Sequence, residues 1–274
     1  MEINNQFTFS AYKLQDYLDC ERRFELKYLL KQQWPAIQSE PIHELEQQMQ
    51  FGQQFHLFAQ QFFSNIPTEE IQKQVDNETL SFWWGNFVPF AKSLLTKEYF
   101  AERKIGIKLS NTRFIAILDL LVIDKKNTYT IIDWKTNKKK PSSQQIKNSI
   151  QSRLYPLVLF LSENERISPN KISPDQIEMI YWFANFPDKM ETFKYSNYQF
   201  EEDLSFFQEI IQKISLKKTG EFLKTTRTLL CKYCQYRSLC ERGTTPGSLD
   251  NPEDEIWNEE ILDIDFSQIG EVEF

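Results

Sequence analysis

Asp119, Asp133 and Lys135 are the residues whose types and spacing first suggest chemistry. Asp133 and Lys135 stand two apart in "TYTIIDWKTNKKK" (residues 128–140), whose first half has the β-branched and aromatic content of a buried strand. Side chains two apart on a strand share a face, so a carboxylate and an ammonium are aimed together. Asp119 ends another apolar run, "FIAILD". Pairing of the two runs through a turn at Lys125–Asn127 would bring both carboxylates near one edge of a sheet. Paired carboxylates suit a hard divalent cation, whose other positions go to water and substrate phosphate. A neighbouring lysine can orient a water or steady charge developing on a phosphate. Asp-x-Lys alone is also the pattern of a surface ion pair worth little, so the surrounding elements decide.

Ser10 is positioned to cap a helix through residues 11–30. Residues 44–63 form a second helix, with Phe51, Phe55, Phe58 and Phe62 at helical spacing and Gly52 implying close packing. A third spans 79–100, with Pro89 expected to kink or break it. The pattern then changes to three short strands, 99–110, 113–124 and 128–134, which read as an antiparallel meander. Helical periodicity returns from a cap at Ser142 or Ser143 through residue 163. "IEMIYWFAN" and "METFKY" read as further strands, and 199–217 as a last helix. The order predicts an α/β domain with a mixed sheet.

The formal net charge of −7 conceals an asymmetry. Residues 247–274 hold ten acids and no Lys or Arg, which leaves 29 acidic against 32 basic residues, or +3, in residues 1–246. The body therefore permits a nucleic-acid partner. Lys138, Lys139 and Lys140, with Lys147 and Arg153 on the following helix, would form a phosphate track if they are more than solvated charges. The chain has no apolar run of 18 residues and opens without a basic-then-apolar leader, so no membrane partner and a cytoplasmic location are expected. With no Gly-rich phosphate loop, helicase action would need a partner protein.

Four cysteines remain: Cys20, then Cys231, Cys234 and Cys240 in "CKYCQYRSLC". In a chain without an export signal this spacing favours metal over disulfide. Zinc and a 4Fe–4S cluster both accept four thiolates, and spacing alone puts zinc first. Joining Cys20 to the distal trio closes a loop of 210 residues. Were it a disulfide, such a closure would stabilise the fold by about 4–5 kcal/mol.

Asp119, Asp133 and Lys135, "QSRLY" with Gln151 and Tyr155 at i and i+4, and "GQQFH" with His56 together resemble the PD-(D/E)XK nuclease superfamily, and within it the RecB-type exonuclease domain. The opening "FSAYKLQDYLDCERRFELKYLL" resembles that family's N-terminal helix, and the likeness spans roughly residues 7–242. It implies a restriction-endonuclease-like core: a central mixed β-sheet flanked by helices, plus N-terminal helices and a C-terminal cysteine cluster. It further implies metal-dependent hydrolysis of DNA, with Mg²⁺ or Mn²⁺ held by His56, Asp119, Asp133 and a main-chain carbonyl near Trp134. Lys135 would position the attacking water, and Gln151 and Tyr155 would support it or the DNA backbone. Iron–sulfur members place one cysteine before the core and three after it, as here, which moves the expected cofactor from zinc to 4Fe–4S. In this the chain is similar to the CRISPR-associated iron–sulfur exonucleases and the C-terminal nuclease domain of AddB. The substrate would be DNA with a single-stranded or free end, and partners a helicase or a repair or CRISPR protein.

One departure stands out: Ala116 occupies the position three before the first acid, where the family usually has Gly. The expected domain is 1–246, closed by its cysteines, followed by an acidic tail at 247–274. Two other readings compete, a DNA- or partner-binding module that no longer cuts and a structural metal protein with an incidental acid pair. Glu102, in "YFAERK", has two readings, an approach to the site from the neighbouring strand and, more simply, a solvated residue.

Overall fold

The computed structural model describes residues 7–34, 40–109, 111–165, 171–231 and 234–243, so the acidic tail lies outside the described residues. In chain order the elements are β1 (Thr8–Phe9), α1 (Ala11–Asp19), α2 (Glu21–Phe24), α3 (Glu40–Phe63), α4 (Thr68–Gln72), α5 (Glu78–Leu94), β2 (Glu98–Leu109), β3 (Thr112–Ile123), β4 (Tyr129–Lys135), α6 (Ser143–Asn148), α7 (Ile150–Glu165), β5 (Ile177–Phe183), β6 (Glu191–Lys194) and α8 (Asn197–Ser215).

Six strands form one mixed sheet in the order β1-β3-β4-β5-β6, with β2 also on β3. The expected meander β2-β3-β4 is present and antiparallel, while β1 joins β3 and β5 joins β4 in parallel. Because β2 runs along β3 for its whole length, β1 and β4 must share the opposite edge. They occupy its two ends: β1 meets residues 113–114 and β4 meets 120–123. Among the described residues no strand pairs with the edge of β3 between them, from Ile115 to Asp119.

Helices cover both faces. On one side α1, α2, α6, α7 and α8 bury Leu14, Phe24, Ile146, Leu154 and Phe207 against Ile131, Tyr181 and Phe183. On the other, α3, α4 and α5 bury an aromatic layer in which Trp134 touches Phe63, Phe87, Phe90 and Trp182. Edge-to-face contacts dominate there, the geometry that aromatic quadrupoles favour.

Four local expectations are corrected. The helix over 11–30 breaks at Cys20, which is extended (φ −159°, ψ 104°), and resumes as α2 and a π-helical turn at Glu25–Leu29. α5 runs through Pro89 without a break and stops at Leu94, and Tyr99 and Phe100 belong to β2. The helix over 142–163 divides at Ser149, whose hydroxyl accepts the Ser152 N–H in the manner of an N-cap, while Ser142 caps α6 in a capping box. Asp119 lies inside β3 rather than at its end.

The two chain ends are tied together beside Cys20. Trp34 Nε1 donates to Ser238 Oγ at 2.9 Å and Tyr236 OH to the Gln32 carbonyl at 3.0 Å. Arg227 pairs with buried Asp19 at 3.0 Å, and Lys217 with Glu21 at 2.7 Å.

Candidate active site

The site forms where β3 and β4 part. Their ladder runs from Ile123↔Tyr129 to Leu120↔Ile132, and its next rung would pair Asp119 with Asp133. There a side chain replaces the backbone: Asp119 Oδ2 accepts the Trp134 N–H at 2.8 Å. That charge-assisted bond ends the ladder without orphaning a buried donor.

A second irregularity faces it. The β2/β3 register is the same on both sides of Glu102, Ala101↔Leu120 and Arg103↔Leu118, so no residue is inserted. Yet the strands turn over there. Phe114, Ala116 and Leu118 face the α7 side while Leu120 and Val122 face α3; Ile105 and Ile107 face α7 while Tyr99 and Ala101 face α3. The turnover is at Glu102, whose φ of 48° is a left-handed conformation rarely adopted by a residue with a side chain. Such strain persists where the surroundings over-determine it. It brings the Glu102 carboxylate beside Asp119.

His56 arrives from α3. One turn earlier, a Cβ on Gly52 would lie 3.2 Å from Thr136 Oγ1, so the missing side chain lets α3 approach the end of β4 closely. His56 Nδ1 then lies 3.4 Å from Asp119 Oδ1. One ligand atom from each of His56, Glu102 and Asp119 falls within 4.8 Å of the others. Two carboxylates and an imidazole fit a divalent cation, with the imidazole favouring Mn²⁺ over Mg²⁺.

Lys135 and Asp133 share the α7 face, as their spacing requires. Lys135 Nζ lies 3.1 Å from Asp133 Oδ2 and donates to Gln151 Oε1 at 2.6 Å. Gln151 Nε2 in turn donates to Tyr155 OH at 3.2 Å, one turn along α7. Gln151 and Tyr155 are buried, so this relay holds the ammonium in place. Sequence reasoning thus singled out six of these seven groups and took the seventh, Glu102, for a solvated residue, because a left-handed residue inside a strand leaves no periodic signal. Ala116 is fully buried beneath α1 and α7, where its methyl group is accommodated.

The five basic residues differ in their surroundings. Lys138, Lys139 and Lys147 are exposed. Lys140 pairs with Glu191 over the Phe183 ring, and Arg153 pairs with buried Asp203 at 2.5 Å while stacking on Phe206.

Cys20 is brought near Cys231, Cys234 and Cys240, close enough for its charge to act on each. Burial pushes the Cys234 thiol up to about 11, against the opposing pull of Arg23. Burial likewise raises Cys231, opposed by Arg242, Arg23 and Arg237, and Cys240, opposed by Lys224 and Arg22. Cations thus oppose the effect of burial at three of the four clustered cysteines, a setting in which thiolates can be held by a metal.

Burial disfavours a charged His56, but the Asp119 carboxylate outweighs it, with Asp133 and Glu102 adding to the effect, and the pKa rises from 6.5 to about 9. The imidazole keeps 35% of its exposure, so solvent screens part of this attraction. A raised pKa means that the pair stabilises the metal-free fold fully below pH 6.5 and that this support is lost as pH rises through about 9. NMR titration in chelator should show His56 titrating near 9 rather than at the ordinary 6.5. Asp119→Asn should bring it back down; an unchanged midpoint would mean that Asp119 is not the cause.

The profile of the PD-(D/E)XK nuclease superfamily matches residues 8–241. No curated protein matches the chain. Among solved structures, a candidate exonuclease from Eubacterium rectale aligns over 91% of both chains at 9% identity with a TM-score of 0.53, which shows a shared fold. SSO0001 aligns over 88% of both chains at 13% identity, with a TM-score of 0.42. The expected restriction-endonuclease-like core is therefore the fold observed, and with the profile spanning most of its length the chain belongs to the PD-(D/E)XK nuclease superfamily.

Proposed function

We propose that the protein is a metal-dependent DNA exonuclease of the RecB type, with residues 1–246 as its nuclease domain. The observation that carries this reading is the convergence of His56, Glu102 and Asp119 with the Asp133–Lys135–Gln151–Tyr155 chain at the parting of β3 and β4. An incidental acid pair would not require a left-handed Glu102, a side-chain-less Gly52 and a buried glutamine on the lysine.

His56, Glu102 and Asp119 would hold a Mg²⁺ or Mn²⁺ ion, with Asp133 beside them. When bound, such an ion acidifies water and offsets charge on a scissile phosphate. Lys135 directs its ammonium towards the attacking water or a phosphate oxygen. Gln151 accepts one Lys135 proton and so fixes where the others point, and Tyr155 fixes Gln151. Asp119 performs two tasks, since its second oxygen is committed to the Trp134 N–H. Exposed Lys138, Lys139 and Lys147 are suited to phosphates. Lys140 and Arg153 would reach DNA only by sharing their charge with Glu191 and Asp203.

For the cysteines we favour a 4Fe–4S cluster over zinc, joining Cys20 to Cys231, Cys234 and Cys240. Their order around the nuclease core supports it. The cluster would reinforce the polar ties that already join the chain ends. A role in repair, recombination or CRISPR-related processing, alone or beside a helicase, follows from the same likeness.

End-labelled single- and double-stranded DNA should be degraded with Mn²⁺ or Mg²⁺ and spared in EDTA. Lys135→Ala or Asp133→Asn should slow cleavage by about 10²-fold or more. Metal-dependent cleavage that survives in both variants would assign the activity elsewhere. Protein purified anaerobically should be brown and carry iron; colourless protein with stoichiometric zinc would overturn the cluster.

A further inference from the structure

Lys135 also borders a cavity that the chemistry above does not use. It holds about 310 Å³, near the lower end of the roughly 300–1,000 Å³ usual for small-molecule sites. Gln15 of α1, Asn137 after β4, Gln144 and Asn148 of α6, and Tyr181 and Phe183 of β5 contribute to its walls, and among the described residues no carboxylate lines it. In a chain with more acids than bases, that composition tolerates an anionic ligand.

The amides are only partly committed. Gln144 Nε2 donates to Asn148 Oδ1 at 2.9 Å, and Gln15 Nε2 to Asp19 Oδ1 at 2.9 Å. Among the described residues, Gln15 Oε1 and Gln144 Oε1 remain as acceptors and the Asn148 amide nitrogen as a donor. Paired donors and acceptors at fixed separation are what a nucleobase edge presents, and Asn and Gln are the side chains that match both together. Tyr181 and Phe183 are almost wholly buried and form a firm floor beneath the amides.

The cavity also has an outlet. Gln144 and Asn148 line a second, broader groove that carries Lys147, Lys194 and Tyr198, whose ring is 72% exposed. Lysines with an exposed aromatic ring are the means by which proteins follow an unpaired strand. Three glutamates share that groove, so it serves here only as a path outward.

We propose that the amide-lined cavity beside Lys135 seats the base of the nucleotide flanking the scissile phosphate, in single-stranded DNA. A base paired within a duplex has its edge engaged and cannot enter, so the strand must be unpaired there. The inference rests on the nuclease reading and adds to it a base site and the residues Gln15, Gln144 and Asn148.

The test uses single-stranded oligonucleotides carrying one abasic position moved stepwise along the chain, cleaved under single-turnover conditions. The wild type should cleave about tenfold more slowly at the bond whose flanking base is missing. Asn148→Ala and Gln144→Ala should slow cleavage of intact DNA and lose that difference. Asn148→Asp, which keeps the shape but removes the donor, guards against a variant that fails to fold. Cleavage by the active wild type that ignores the position of the abasic site overturns the pocket and leaves the nuclease reading standing. If no DNA is cleaved, the nuclease reading fails, and the pocket is judged by binding alone. Quenching of 2-aminopurine at one position, lost in Asn148→Ala, supports it; no position-dependent quenching overturns it.

Discussion

The acceptance of the Trp134 N–H by Asp119 is the interaction on which the site depends. A sheet ladder ordinarily continues until a turn or a solvent edge stops it. Here a carboxylate takes the place of the next carbonyl, and β4 leaves β3 with its backbone still satisfied. Below that point no described strand pairs with this edge of β3 as far as β1. The parting creates space inside a sheet covered on both faces, where polar groups would otherwise have to be excluded.

Both faces supply groups to that space. Trp134, between Asp133 and Lys135, turns into the aromatic layer under α3 and α5, and its anchorage sets the direction of its two neighbours on the other side. From the α3 side comes His56; from the α7 side comes the Gln151–Tyr155 support of Lys135. The turnover at Glu102 lets β2 and β3 pass from one core to the other while aiming the Glu102 carboxylate at the gap. A left-handed glutamate inside a strand is costly, by about 1–3 kcal/mol, and the cation we propose would be its compensation.

Much of this was legible in the sequence because it follows from short periods. Period two puts Asp133 with Lys135, and a spacing of four puts Gln151 with Tyr155 and Gly52 below His56. The meander was readable from strand composition and its turns. What was not readable depends on contacts between distant segments. The two-residue β1 has no pattern of its own and exists through β3. The break at Cys20 interrupts an otherwise good helical period, and the strand turnover at Glu102 preserves the register and so leaves no mark. Arg153 and Lys140 illustrate the same limit: as sequence they are free cations, yet Asp203 and Glu191, 50 and 51 residues away, occupy them.

The central claim is that the parting of β3 and β4 builds one cation site from His56, Glu102 and Asp119. Calorimetric titration of chelator-stripped protein with Mn²⁺ tests it most directly, using the wild type beside Glu102→Gln, the ligand without a sequence signature. The account predicts a bound Mn²⁺ in the wild type whose affinity falls by about tenfold or more in Glu102→Gln. Equal affinity in the two proteins would contradict it and remove Glu102 from the site.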